Sequence, residues 1–313
     1  MTPTIRVPRR ARVAALSLTM VGALGLTACG GGGDPLASSS SSGEGGDAGG
    51  GVVVGSADFS ESILLAHIYA GALEADGVEA STKTGIGSRE VYLKALEEGS
   101  VDVVPEYTGN LALYYDKEFA ETDPDKTYDG LTEVLPDGLA VLDKSEAEDN
   151  DSIVVTKETA DSQDLKTLED LTDAAGEMTL GAPSEFKTRA QGIPGLKSTY
   201  DIEFQSFRPL KPGQATNGAL KNGQIDAANI FSTDPAIVEN DFVVLEDTKK
   251  LFGSQNVVPL VREDSQEQVA ETLDEVSAKL TTEKLQELLK RTDIDKEDPD
   301  KVAADFLKEE GLA

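Results

Sequence analysis

His67 and Cys29 are the only histidine and the only cysteine in this chain of 313 residues, and that scarcity bounds its chemistry. One of each cannot supply the ligand clusters of a zinc site, and a lone cysteine cannot form an internal disulfide. An extracellular hydrolase is poorly served too, because no G-x-S-x-G phrase is present and no carboxylate pair with acid/base spacing stands out. His67 lies among Leu64, Leu65 and Ile68 in a helical stretch and reads as structural. Gly85-Ile86-Gly87-Ser88 opens a helix after a strand, a setting in which backbone N–H groups meet anions. Glu90 stands where the third glycine of G-x-G-x-x-G belongs, which argues against a dinucleotide cofactor. Catalytic residues, metal and cofactor are all expected to be absent. Binding is what remains.

The elements that would hold a binding site begin at Val52. Val52 to Val54 reads as a buried strand, Gly55 to Asp58 as a turn, and Ser60 to Glu74 as an amphipathic helix for which Asp58 and Glu61 suit a capping box. A strand near Val78 to Thr82, a helix from Ser88 to Glu98 and a short strand Val101 to Val104, closed by Pro105, complete a βαβαβ pattern. Tyr107, just past Pro105, is expected in a loop, and the pair Tyr114-Tyr115 in helix packing.

The second half repeats the first. Met178 to Phe186 answers Val53 to Phe59, and Ala219-Leu220-x-x-Gly223-x-Ile225-Asp226 answers Ala95-Leu96-x-x-Gly99-x-Val101-Asp102 without a gap. A single A-L-x-x-G-x-[VI]-D phrase is ordinary helix-ending grammar; two of them, each in its own βαβαβ half, predict paired lobes. Ile153 to Thr156 and Val257 to Val261 are candidate strands crossing between them, giving a hinge and a cleft at the carboxyl ends of strands. The C-terminal helices, with Val269, Leu273, Val276 and Leu280, then Leu285, Leu288 and Leu289, then Val302 to Leu307, are expected to pack on the first lobe. The expected division is residues 52–152 with 258–313 as lobe 1 and 153–257 as lobe 2.

Upstream, Arg6, Arg9, Arg10 and Arg12 precede an apolar run from Val13 to Leu26, too short for comfortable membrane spanning and suited to a secretory signal peptide over residues 1–28. Residues 29–51 then read as Cys29 and a flexible Gly/Ser tether with a typical reach of about 26 Å. The formal charge is −30; taking those four arginines from the 28 basic residues leaves 24 against 58 acids, or −34. Such a chain has no sequence-independent grip on nucleic acid, and self-repulsion favours a monomer.

Leu26-Thr27-Ala28-Cys29 resembles the lipobox of bacterial lipoproteins, which implies that Cys29 is lipidated and that this anchor holds the protein on the outer face of the bacterial cytoplasmic membrane. Val54 to Ser62, Val104-Pro105-Glu106-Tyr107-Thr108-Gly109-Asn110 and Phe231-Ser232-Thr233-Asp234 resemble the osmoprotectant-type substrate-binding proteins of ABC importers, which bind glycine betaine, carnitine and choline. The resemblance runs from Val52 to the C-terminus. It implies an α/β, two-lobed type II periplasmic-binding-protein fold with two hinge-crossing strands, a small-molecule solute as ligand, and ABC permease and ATPase subunits as partners. It also implies a box of tyrosines around a quaternary ammonium. Tyr107 matches one of them, beside Thr108 and Asn110. The other tyrosine positions fall on Ser152, Asn217, Gln255 and Asn256, so the box is expected to be largely polar, and Arg189 matches an arginine that pairs with a ligand carboxylate. A betaine-type binder and a binder of another polar solute both fit this pattern.

Overall fold

The structure is a computed structural model and describes residues 51–313. The expected signal peptide, Cys29 and nearly all of the tether lie outside the described residues.

Strand β1 (Val52–Gly55) leads into helix α1 (Ser60–Ala75), then β2 (Ala80–Lys83), α2 (Arg89–Glu97), β3 (Val103–Tyr107), α3 (Thr108–Tyr115), α4 (Pro124–Val134) and β4 (Leu139–Val141). The chain then passes through β5 (Asp151–Val155), α5 (Lys157–Gln163), α6 (Leu171–Ala174), β6 (Thr179–Ala182), α7 (Ile193–Tyr200), β7 (Ser206–Pro209), α8 (Gln214–Lys221), β8 (Ala227–Phe231), α9 (Ala236–Glu239) and β9 (Val243–Val244). It closes with β10 (Val257–Arg262), α10 (Glu263–Lys279), α11 (Thr282–Asp293) and α12 (Pro299–Glu310).

Two five-stranded sheets result, ordered β2-β1-β3-β10-β4 and β7-β6-β8-β5-β9. In each, three parallel strands are joined by an antiparallel one, β10 beside β3 and β5 beside β8. The two halves of the sequence thus build the same sheet twice. The repeated A-L-x-x-G-x-[VI]-D phrase does the same work in both. Gly99 and Gly223 take left-handed φ angles of 70° and 64° where the helices end, a conformation that glycine adopts at little cost. Asp102 and Asp226 each accept the backbone N–H of a first-strand residue, Val53 and Thr179, at 2.8 Å. Val101 and Ile225 pack where β1 and β6 carry Gly55 and Gly181, and a Cβ on Gly181 would stand 2.4 Å from Ile225.

The last three helices join α1 and β1 in one apolar core, as their spacing predicts. His67 of α1 pairs with Asp300 of α12, consistent with a structural role. Three local expectations fail. Pro105 does not end β3: it lies inside the strand, opposite Pro259 of β10. Tyr107 is consequently the buried last residue of β3 and not a loop residue. The Asp58–Glu61 capping box does not form, because Phe59 is the N-cap with no side-chain cap bond and Glu61 turns into the protein.

The crossing strands also differ from expectation, since β5 and β10 each belong wholly to one sheet. Crossing is done by the segments ahead of them. These segments pair through an antiparallel bridge between Glu148 and Asn256 and through backbone bonds from Asp149 to Gln255 and from Val257 to Ala147.

Candidate ligand-binding cleft

Each lobe presents the carboxyl ends of its strands to the other, where ligands of open α/β sheets bind. The turn after β1 supplies Asp58 and Phe59; α2 supplies Arg89 and Tyr92; the ends of β3 and α3 supply Tyr107 and Asn110. Across the gap stand Glu185, Phe186 and Arg189 after β6, Pro212 after β7, and Asn229 and Phe231 from β8, with Asp149 and Asp151 at the crossing. The cavity between them is about 50 Å³. It is narrow because side chains tie the lobes together: Gln191 to Asn110 at 2.7 Å, Lys211 to Asp58 at 3.0 Å, Arg189 to Glu90 at 3.4 Å and Thr233 to Glu61 at 2.5 Å.

The rings form one cluster. Phe59 lies 5.1 Å from Phe231 and 6.3 Å from Tyr107, centroid to centroid, so three rings from both lobes share one wall. Tyr92 and Phe186 also face the cleft. The alternation of strand side chains explains the set from β8: Asn229 and Phe231 share a face, and Ile230 between them points into the second lobe's core.

Both arginines on the cleft are already partnered. Arg89 donates Nε and Nη2 to the two oxygens of Glu106 at 2.8 Å each, and the Tyr92 hydroxyl adds a 2.6 Å bond to the same carboxylate. Arg189 pairs with Glu90 and, more loosely, with Glu185 of its own turn. Although partial burial opposes its charge, Glu90 is held below the usual carboxylate range by the Ser88 hydroxyl and by Arg189. Asp151 accepts amide N–H groups from Asn110 at 3.1 Å and Asn229 at 2.9 Å.

A second buried network lies behind Tyr107. Its hydroxyl donates to Glu61 at 2.6 Å, and Thr233 bonds both Glu61, at 2.5 Å, and Asp149, at 2.9 Å. Burial pushes the Glu61 carboxyl up to about 7 in spite of its bonds to Thr233 and Tyr107. Burial, with Glu61 alongside, raises Asp149 well above the ordinary range. Burial likewise raises Tyr107, so its hydroxyl stays protonated and donates.

Of the residues that the sequence nominated, Tyr107, Asn110 and Arg189 line the cleft. The others do not reach it. Thr108 Oγ1 accepts the N–H of Asn256 and bonds the Ser254 carbonyl, pinning the crossing. Ser152 donates to the Ile230 carbonyl within its own sheet. Gln255 is fully buried, accepting the N–H of Asn110 and donating to the Phe252 carbonyl. Asn256 donates to the Ser145 carbonyl. Asn217 bonds Asp234 in a neighbouring groove with Lys211 and Lys296. The box is accordingly not mostly polar, since Phe59, Tyr92, Phe186 and Phe231 supply rings from positions that the expected tyrosine pattern omits. Phe59 and Phe231 each lie inside a phrase that carried the resemblance, and that was the available signal.

The profile described as the substrate-binding domain of ABC-type glycine betaine transport systems matches residues 50–309. The chain belongs to this family. Its members are solute-binding components of ABC importers that work outside the cytoplasm with a permease, and they are not enzymes. The chain is 27% identical over 274 residues to the glycine-betaine-binding protein of Pseudomonas aeruginosa, covering 83% of this chain and 88% of that protein. It is 28% identical over 276 residues to the glycine betaine-binding protein YehZ of Escherichia coli K12, covering 83% and 90%. A crystal structure described as a glycine betaine/carnitine/choline ABC transporter aligns with a TM-score of 0.67 at 26% identity, over 83% of this chain and 99% of that one. The fold is that of the type II periplasmic-binding proteins.

Proposed function

We propose that this importer component captures a quaternary ammonium solute of the glycine betaine, carnitine and choline class between its lobes. The observation that carries the reading is the ring cluster of Phe59, Tyr107 and Phe231 beside Asp149 and Asp151, while the ion pairs of the cleft's arginines go to Glu106, Glu90 and Glu185. A permanent cation that cannot donate hydrogen bonds is held well by π faces and nearby carboxylates. The cavity is too small for such a solute as it stands, so entry needs the lobes to part about the crossing segments.

The domain division follows the same reading, shifted from the expected bounds so that β5 stays whole in the second lobe and β10 in the first: residues 52–150 with 257–313 move as one lobe and 151–256 as the other, with the boundary at the pairing of the crossing segments. Ligand-contacting residues are Tyr107, Asn110 and Arg189 together with Phe59, Tyr92, Asp149, Asp151 and Phe231. Thr108, Ser152, Asn217, Gln255 and Asn256 support the walls. The chain is a monomer anchored through lipid on Cys29 and meets its permease and ATPase transiently. Calorimetry with choline, glycine betaine, carnitine and, as a control lacking a quaternary nitrogen, proline tests the reading. Binding of the first three classes above proline supports it, and silence from all three quaternary solutes overturns it.

A further inference from the structure

Glu61 comes from α1 in the first lobe, Asp149 from the crossing, and Thr233 from the turn after β8 in the second lobe. All three meet at one point. Thr233 Oγ1 lies 2.5 Å from Glu61 Oε2 and 2.9 Å from Asp149 Oδ1. A threonine hydroxyl owns a single proton and can donate to only one of two carboxylates. The second contact needs a proton of its own, and a carboxyl group must bring it. The remaining donors do not remove the need, since the Tyr107 hydroxyl is spent on Glu61 Oε1 and the Thr233 N–H on Asp149 Oδ1.

The charged and titratable groups around the pair make the proton more necessary. Glu61 feels Tyr107 of β3, Asp149 of the crossing, Asp293 of α11 and Tyr69 of its own helix. Asp149 feels Glu61, Asp151 and Tyr107. The cleft's two arginines, Arg89 and Arg189, are already ion-paired with Glu106 and with Glu90 and Glu185. Two bare carboxylates in so buried a place would repel strongly, and one proton shared between them relieves the repulsion. The raised affinities of both carboxyls for protons agree with this count.

Asp149 is at once a member of this pair and a wall of the cleft, beside Asp151 and the rings of Phe59 and Tyr107. We propose that a cationic ligand exchanges with the proton held between Glu61 and Asp149, one proton leaving to solvent for each cation bound. The inference rests on the reading that the cleft takes an organic cation. A quaternary ammonium brings one positive charge and no titratable hydrogen, so it replaces the proton's charge and leaves both carboxylates ionised. Cation and proton then compete for one closed cleft, and the affinity for the cation rises with pH.

Choline is the probe. Titrated by calorimetry in buffers of different ionisation enthalpy, it should release close to one proton per molecule bound at pH 6, with Kd falling by up to tenfold between pH 6 and pH 7 and levelling above pH 8. Glu61→Gln should abolish both the release and the pH dependence, and Asp149→Asn gives the same test if the first variant does not fold. In the ligand-free protein, carboxyl carbon NMR should find a group titrating near neutrality that Glu61→Gln removes. Choline binding with no proton release and a flat pH profile overturns the exchange while leaving the ligand reading intact. Failure of choline, glycine betaine and carnitine alike to bind overturns both.

Discussion

Arg89 and Glu106 form a two-bond ion pair inside the first lobe, each bond 2.8 Å long, with both side chains buried. Glu106 is the acid of the P-E-Y-T-G phrase, and its own neighbour Tyr107 donates a backbone N–H to it. This arginine of the cleft is thereby taken out of play as a partner for a ligand carboxylate. Glu106→Gln leaves the Arg89 charge buried without a counter-charge, and the expected cost is about 3–5 kcal/mol of stability. Urea denaturation measures it. Arg89→Met combined with Glu106→Leu should cost clearly less than Glu106→Gln alone, and the opposite order would show that the pair is not what strains the single variant.

The second prediction concerns stability and pH. Glu61 ionises near 4.5 when exposed and near 7 in the folded protein, chiefly because it is buried. Between those values the native state holds a proton that the unfolded chain has lost, so stability is full below pH 4.5 and falls as pH rises through 7. At about 1.4 kcal/mol per pH unit the loss is on the order of 3–4 kcal/mol at most. Melting temperatures from pH 5 to pH 8 should therefore decline more steeply in the wild-type protein than in Glu61→Gln. Parallel profiles for the two proteins would show that Glu61 ionises normally.

The helical spacings, the two lobes and the doubled phrase were legible in the sequence because each rests on local chemistry: periodicity, a glycine in a left-handed turn, an aspartate meeting a strand N–H. The cleft was less legible, for a geometric reason. Successive side chains on a strand point to opposite faces, so a shift of one residue moves a side chain from ligand to core. Asp151 faces the cleft while Ser152, beside it, bonds the Ile230 carbonyl. The spacing of Glu61 from Asp58 points to a capping partner. Only the arrival of Thr233 from the other lobe, 172 residues away in sequence, gives it a different task.

Cys29→Ala should leave the fold unchanged and abolish incorporation of labelled fatty acid into the protein, because the proposed acyl chains attach to that one thiol. Fractionation alone does not decide the matter, since a variant that keeps its apolar segment Val13 to Leu26 stays with membranes by that segment. Growth of cells expressing wild-type and variant protein on labelled palmitate, followed by isolation of the protein, measures the effect. Equal labelling of the two proteins, or none in the wild type, would end the lipoprotein reading.

The ring cluster gives the final prediction. Phe59 and Phe231 touch each other across the two lobes, and each forms part of the wall facing the cavity. Removing either ring takes away one cation–π contact, worth about 0.5–2 kcal/mol, so Phe59→Ala and Phe231→Ala should each weaken choline binding by about 2- to 30-fold. Ser152→Tyr makes the opposite test. Its hydroxyl is buried against the Ile230 carbonyl, on the face of β5 turned away from the cleft. A tyrosine there overfills a packed sheet, lowering stability by about 1–3 kcal/mol, and adds no ring to the site. Calorimetry and thermal melting on the three variants separate the two arrangements. Loss of affinity in both phenylalanine variants with no gain in Ser152→Tyr places the cation against Phe59 and Phe231; a gain in Ser152→Tyr with silent phenylalanine variants would move the ligand to the other face of β5.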